Sequence, residues 1–250
     1  MTRFSLEGRV AMVTGCNKGL GQGIAVALAE AGADIVGVNR RAAEETRERI
    51  ASLGRRYVNL EARLGHDPAE EIVDRAIADL GRVDILVNNA GTIRRAPALA
   101  FTEADWDEVM NVNLKAAFFL SQQVARRLVE RKAPGRIVNV ASVLSFQGGI
   151  RVPSYTASKS GLLGLTRLLA NEWATHGITV NAIAPGYMAT DNTQALREDE
   201  ERSAEILGRI PAGRWGTPDD LAGAVIFLCS DAAGYVNGHA LAVDGGWLAR

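Results

Sequence analysis

The run VAMVT at residues 10–14 reads as a short buried strand, and the stretch TGCNKGLG at 14–21 follows it directly. From there an amphipathic pattern continues to residue 31, so a glycine-rich turn sits between a strand and a helix. Gly15, Gly19 and Gly21 let the backbone turn sharply and approach a ligand. The helix that begins there offers free N–H groups and its positive end, which suits a pyrophosphate. The spacing is GxxxGxG, and taken alone it is equally compatible with a plain structural turn.

The pattern that follows constrains the fold further. Strand-like runs recur at 35–38, 56–60, 85–87, 137–140, 179–183 and 240–243. Helical spacing fills the gaps at 42–53, behind Pro68 on Ile72, Val73, Ala76, Ile77 and Leu80, and at 106–130, 155–175, 191–207 and 218–230. Alternating strands and helices predict an α/β chain with a parallel, doubly wound, Rossmann-like sheet and helices on both faces. No linker, repeat or low-complexity tract interrupts it, so residues 1–250 form a single expected domain. In such a sheet ligands bind at the carboxyl ends of the strands, and the residues following each strand carry the chemistry.

Charge and composition exclude several alternatives. The 28 basic and 29 acidic residues leave a net charge of −1, too little to steer the chain to nucleic acid or an anionic membrane surface. Charged residues interrupt positions 1–10, and the apolar run 221–230 is far shorter than the ~18 residues a span requires. A cytoplasmic protein without membrane or nucleic-acid partners is expected. Cys16 and Cys229 form no CxxC, and His66, His176 and His239 are scattered, so no metal site is expected.

Three further motifs follow strands. Asn88-Asn89-Ala90-Gly91 offers small residues and two amides that can tie strands together, although an ordinary polar turn would look alike. Ser142 puts a hydroxyl over the crevice, or merely caps a turn. Tyr155 and Lys159, four apart on a helix, share one face, so the ammonium is expected to lower the phenol pKa from its usual ~10. The phenol would then serve as proton donor and acceptor near neutral pH.

In order and placement, TGxxxGxG at 14–21, NNAG at 88–91, Asn113, Ser142, YxxxK at 155–159 and Pro185-Gly186 resemble the short-chain dehydrogenase/reductase family over the whole chain. The resemblance implies that Tyr155 is the general acid/base, with Ser142 on the substrate oxygen. Lys159 would support the phenolate and hold the nicotinamide ribose, and Asn113 would keep a water in the proton relay. It implies an NAD(P)(H) site formed by Gly15, Asn17, Lys18, Gly19, Leu20, Gly21, Asn39, Arg40, Leu64, Asn89, Ala90, Gly91, Tyr155, Lys159, Pro185, Gly186 and Met188. It also implies a homotetramer.

The stretches 88–113, 145–161, 181–216 and 243–250 resemble one branch of the family, which interconverts a secondary alcohol and a ketone on six-carbon deoxy-keto sugar acids. An anionic substrate fits the arginines near the crevice, Arg94, Arg95, Arg151 and Arg214, since a guanidinium binds a carboxylate through two parallel bonds. Arg94 or Arg151 is the expected carboxylate ligand, with Ser142, Tyr155 and Gln147 completing the substrate site and Trp215 a weaker candidate. Two rival readings share these motifs. One is a ketoacyl carrier-protein reductase, whose carrier would dock on Arg126, Arg127, Arg131 and Lys132; the other is a non-catalytic cofactor-binding protein.

Two positions depart from the family pattern. Arg63 stands where many members carry an adenine-binding Asp. Asn39, followed by Arg40 and Arg41, stands where an acid would bind the adenosine ribose and repel a phosphate. With Lys18 nearby, this favours NADP(H) over NAD(H).

Overall fold

The computed structural model describes residues 3–250, so only the first two residues of the expected domain lie outside it. Seven strands, β1 (Val10–Thr14), β2 (Asp34–Asn39), β3 (Tyr57–Glu61), β4 (Ile85–Asn88), β5 (Gly135–Val140), β6 (Ile178–Pro185) and β7 (Ala240–Val243), form one sheet. Their order is β3-β2-β1-β4-β5-β6-β7, and every pairing is parallel. The order reverses between β1 and β4, which opens the crevice at their carboxyl ends.

Period-two alternation along the strands divides the core in two. Ala11 and Val13 of β1 face α1 (Gly19–Glu30), α2 (Glu44–Ser52) and α9 (Ala222–Cys229), packing with Ile24, Leu28, Ile50, Val225 and Leu228. Val10 and Met12 face the opposite layer, α3 (Ala69–Leu80), α5 (Ala116–Glu130) and α6 (Pro153–Trp173), packing with Ile72, Val73, Val124, Leu128 and Leu169. No described helix is long and apolar enough to cross a membrane.

Three expected helices differ in detail. The one expected at 106–130 begins earlier, as α4 (Glu103–Met110), capped by Thr102, whose hydroxyl accepts from the Asp105 amide. It then passes through a π-helical turn, Asn111–Lys115, before continuing as α5. A π-turn inserts one residue and leaves a carbonyl without its usual helical donor. The expected helix 191–207 is divided by Asp199 into α7 (Gln194–Glu198) and α8 (Glu200–Arg209). Asp199 is extended, and its carboxylate accepts from the Arg202 amide, so it serves as a cap where periodicity suggested continuity. The helix expected at 155–175 starts with Pro153, whose fixed φ suits the first turn.

Candidate active site

The turn after β1 has the shape a pyrophosphate requires. Gly15 and Gly19 adopt φ of +66° and +58°. A Cβ at Gly21 would lie 2.1 Å from the Gly15 carbonyl oxygen, so the backbone closes as tightly as only glycine allows. Lys18 occupies the N-cap of α1, no side chain caps the helix amides, and the first turn carries no acid, so those amides suit an anion. The residues present therefore fit a dinucleotide. Asn17 and Lys18 are exposed beside this turn, and Leu20 is half-buried against the core.

The NNAG turn holds the crevice open by tying strands, as its amides suggested. Asn88 donates to Asn139 Oδ1 at 2.8 Å and to Ser121 Oγ at 3.0 Å, joining β4 to β5 and α5. Asn89 Nδ2 donates to the Thr14 and Gly15 carbonyls at 2.9 and 3.0 Å. Thr14 Oγ1 returns the contact by accepting from the amides of Asn89 and Ala90 at 3.0 and 2.9 Å. Pro185 ends β6, and Gly186 donates to the Val243 carbonyl at 3.0 Å; Met188 is buried beyond them. Leu64 packs half-buried past β3, and Arg63 beside it is exposed.

Asn39 behaves differently from the ribose ligand its position suggested. It is 3% exposed, and its Oδ1 accepts from the Cys16 amide at 2.7 Å. Its Nδ2 donates to Asn59 Oδ1 at 2.8 Å and approaches Tyr57 Oη at 3.3 Å. The amide thus braces the glycine-rich turn from behind. Lys18, Arg40 and Arg41 are exposed cations there, and Lys18 Nζ bonds Asp191 Oδ2 at 2.5 Å.

The four expected catalytic side chains come together. Asn113 sits in the π-helical turn, 2% exposed, with Oδ1 accepting from the Thr92 amide at 2.8 Å. Its Nδ2 donates to the Thr92 carbonyl and to Ser158 Oγ at 3.0 and 3.2 Å, and Ser158 Oγ donates to the Tyr155 carbonyl at 2.8 Å. A Cβ at Gly91 would meet Asn113 Oδ1 at 3.3 Å and Lys159 Nζ at 3.8 Å, so the last residue of the NNAG turn lies close to both. Ser142 follows β5 and accepts from the Leu144 amide at 3.2 Å.

The electrostatics correct one expectation. Burial raises the Tyr155 phenol above its ordinary value, and hydrogen bonding to Ser142 and the charge of Arg95 only partly offset it. Lys159 Nζ lies 5.7 Å from the ring centroid and donates to the Val140 carbonyl at 2.6 Å. Burial brings its own pKa down to about 8. The phenol thus stands above its ordinary value, where the helical spacing alone suggests a lowered one, because burial is the largest influence on both groups.

The arginines also separate. Arg94 is neutralised by Glu108 at 2.6 Å and Asp105 at 3.4 Å, and Arg214 is held bidentately by Asp220, both bonds 2.7 Å. Arg151 is exposed, with a left-handed φ of +64°, and its carbonyl accepts from the Ala96 amide. Gln147 accepts from Arg209, whose guanidinium stacks 4.1 Å over Trp247, while Trp215 packs edge-on against Tyr187. Arg95 is held by a neutral acceptor, the Asn192 carbonyl at 3.0 Å, and its charge reaches Tyr155. Sequence reasoning passed over Arg95 in favour of its neighbour; the acids at 105 and 108, one helical turn apart, were the signal that Arg94 would be occupied. In the basic stretch considered for a carrier protein, Arg127 pairs with Asp74 and Glu130, and Arg131 with buried Asp84.

Sheet order, glycine-rich turn and Ser-Tyr-Lys cluster define a nicotinamide-dependent oxidoreductase, and the chain belongs to the short-chain dehydrogenase/reductase family. Residues 15–248 match a family model described as enoyl-(acyl carrier protein) reductase. Among particular proteins, the chain is 62% identical to the 2-dehydro-3-deoxy-D-gluconate 5-dehydrogenase of Escherichia coli K12, over all of this chain and 99% of that one. An Agrobacterium tumefaciens structure with bound NADP, described as a candidate 2-deoxy-D-gluconate 3-dehydrogenase, is 58% identical, covers 100% of both chains and has a TM-score of 0.94. A gluconate 5-dehydrogenase from Burkholderia cenocepacia, solved with NADP and tartrate, is 41% identical with a TM-score of 0.94, covering 99% of this chain and 98% of that one.

Proposed function

We propose that this enzyme oxidises the C5 alcohol of 2-dehydro-3-deoxy-D-gluconate to a ketone, and catalyses the reverse reduction, with NADP(H) preferred over NAD(H). The relatives' names and NADP complexes support the substrate and the cofactor. Arg40 and Lys18 support NADP(H) on this chain, because both are exposed cations beside the glycine-rich turn, where a 2′-phosphate would lie.

The nicotinamide, when bound, supplies the site that takes or gives the hydride. The chain's own residues handle the proton. In oxidation, Tyr155 Oη accepts the proton of the substrate hydroxyl while Ser142 Oγ hydrogen-bonds the same oxygen; in reduction, Tyr155 returns it. Asn113 fixes the π-helical turn through Thr92 and Ser158, and a carbonyl freed by that turn can hold a relay water. Lys159 is locked on the Val140 carbonyl under the tyrosine ring, where it offers its charge to the phenolate and its remaining donors to a ribose hydroxyl.

The observation that carries the acid substrate is Arg95, an exposed guanidinium beside the NNAG turn that is bonded to a neutral carbonyl, with a charge that favours the Tyr155 phenolate. The thioester reading is weaker, since Arg127 and Arg131 are already paired with acids. Arg95→Ala is expected to raise KM for the sugar acid about tenfold or more, the scale of a lost charge-assisted bond. Arg94→Ala should leave KM near wild type; the reverse ranking would place the carboxylate on Arg94. Cytoplasmic location and a homotetramer, with Phe119 of α5 and Leu168 of α6 exposed for burial between subunits, complete the reading.

A further inference from the structure

We propose that Asp191 is a cofactor-discriminating residue: it shares the Lys18 ammonium with the cofactor's 2′-phosphate and so holds down the preference for NADP(H) over NAD(H). The inference rests on the reading of NADP(H) as the preferred cofactor.

Lys18 caps the N-terminus of α1 and immediately precedes Gly19. Asp191 comes from the opposite wall of the crevice, at the start of the segment that follows β6 and leads into α7. The two side chains meet at 2.5 Å, and each keeps about two thirds of its surface open, at 66% and 68%. Thr190, next to Asp191, lies near the same turn: a Cβ at Gly19 would be 3.8 Å from its methyl group. Lys18 holds the Asp191 carboxyl below its ordinary range.

An ammonium offers three donors but a single charge. A 2′-phosphate brought to Lys18 would divide that single charge with the carboxylate, so each anion weakens the hold of the ammonium on the other. The NAD(H) ribose carries no phosphate and makes no claim on that charge. Asp191 therefore weakens NADP(H) selectively. Arg40 is exposed at the end of β2 and keeps the net preference toward the phosphate. Since the pair is solvated, neutralising Asp191 should change the ratio of affinities by about two- to fivefold, the range open to one exposed charge pair.

The test is a titration of wild type, Asp191→Asn, Lys18→Ala and the double variant with NADPH and with NADH, followed by tryptophan fluorescence at one fixed ionic strength. Asp191→Asn should tighten NADPH about two- to fivefold and leave NADH unchanged. In the Lys18→Ala background the same substitution should no longer move the NADPH/NADH ratio. An equal effect on both dinucleotides would mean that Asp191 only orders its segment, and an undiminished gain without Lys18 would mean direct repulsion; either overturns the proposal. If wild type prefers NADPH and depends on Lys18 for it, yet Asp191→Asn leaves the ratio unmoved, this inference alone fails. A wild type that prefers NADH and is indifferent to Lys18→Ala removes the cofactor reading and this inference with it.

Discussion

Tyr155 can act in both directions, but its burial sets different pH demands on each. The phenol's raised pKa keeps it protonated at neutral pH, ready to donate in ketone reduction. Oxidation needs the phenolate, so its rate should climb as pH rises above neutrality while the reduction rate falls. Lys159, with its pKa near 8, loses its charge over the same interval, so the oxidation limb should flatten where that support is withdrawn. Profiles of kcat in both directions would check this, and superimposable profiles would contradict it. Tyr155→Phe should lose about 10²–10⁴-fold in both directions while NADPH binding by fluorescence is kept. The Tyr155–Lys159 pair was legible from its helical spacing, whereas Ser142 and Asn113 were singled out through the family resemblance. The inward turn of Asn39 was not legible, since it depends on Tyr57 and Asn59 arriving from the neighbouring strand.

Element packing shows which features local patterns can and cannot carry. Hydrophobic periodicity located every strand, yet it read the stretch through Asn113 as unbroken helix, because one inserted residue barely alters an amphipathic pattern. Asp199 was misread for a related reason: the apolar spacing continues across it, and only its extended backbone reveals a cap. Where α5 crosses β5, Leu128 lies directly over Gly135, and a Cβ there would fall 2.2 Å from Leu128 Cδ1. Leu128→Ala should cost about 2–5 kcal/mol by leaving a cavity, and Gly135→Ala about 1–3 kcal/mol by overpacking. The double variant should cost clearly less than the sum, because the added methyl enters the space vacated by leucine. Denaturant titration of the four proteins checks the coupling, and simple additivity would show that the two sites do not share that space.

For the whole molecule, the parallel order β3-β2-β1-β4-β5-β6-β7 brings Thr14, Asn89, Ser142 and Pro185, distant in sequence, to one edge. Its outer helices leave Phe119 and Leu168 exposed, an arrangement that suits subunit contacts. Light scattering after size exclusion should give four times the chain mass of 26.7 kDa, and Phe119→Glu should lower it. A wild-type particle of single-chain mass would refute the assembly. At the level of the whole protein, one crevice is expected to join an NADP(H) site to a sugar-acid site. That arrangement is tested most directly by following nicotinamide absorbance with purified enzyme, 2-dehydro-3-deoxy-D-gluconate, and NADP⁺ or NAD⁺ in turn. Turnover that is faster with NADP⁺ and about 10²–10⁴-fold slower in Tyr155→Phe is expected; no turnover of the acid, alongside reduction of a ketoacyl thioester, would overturn the sugar-acid assignment.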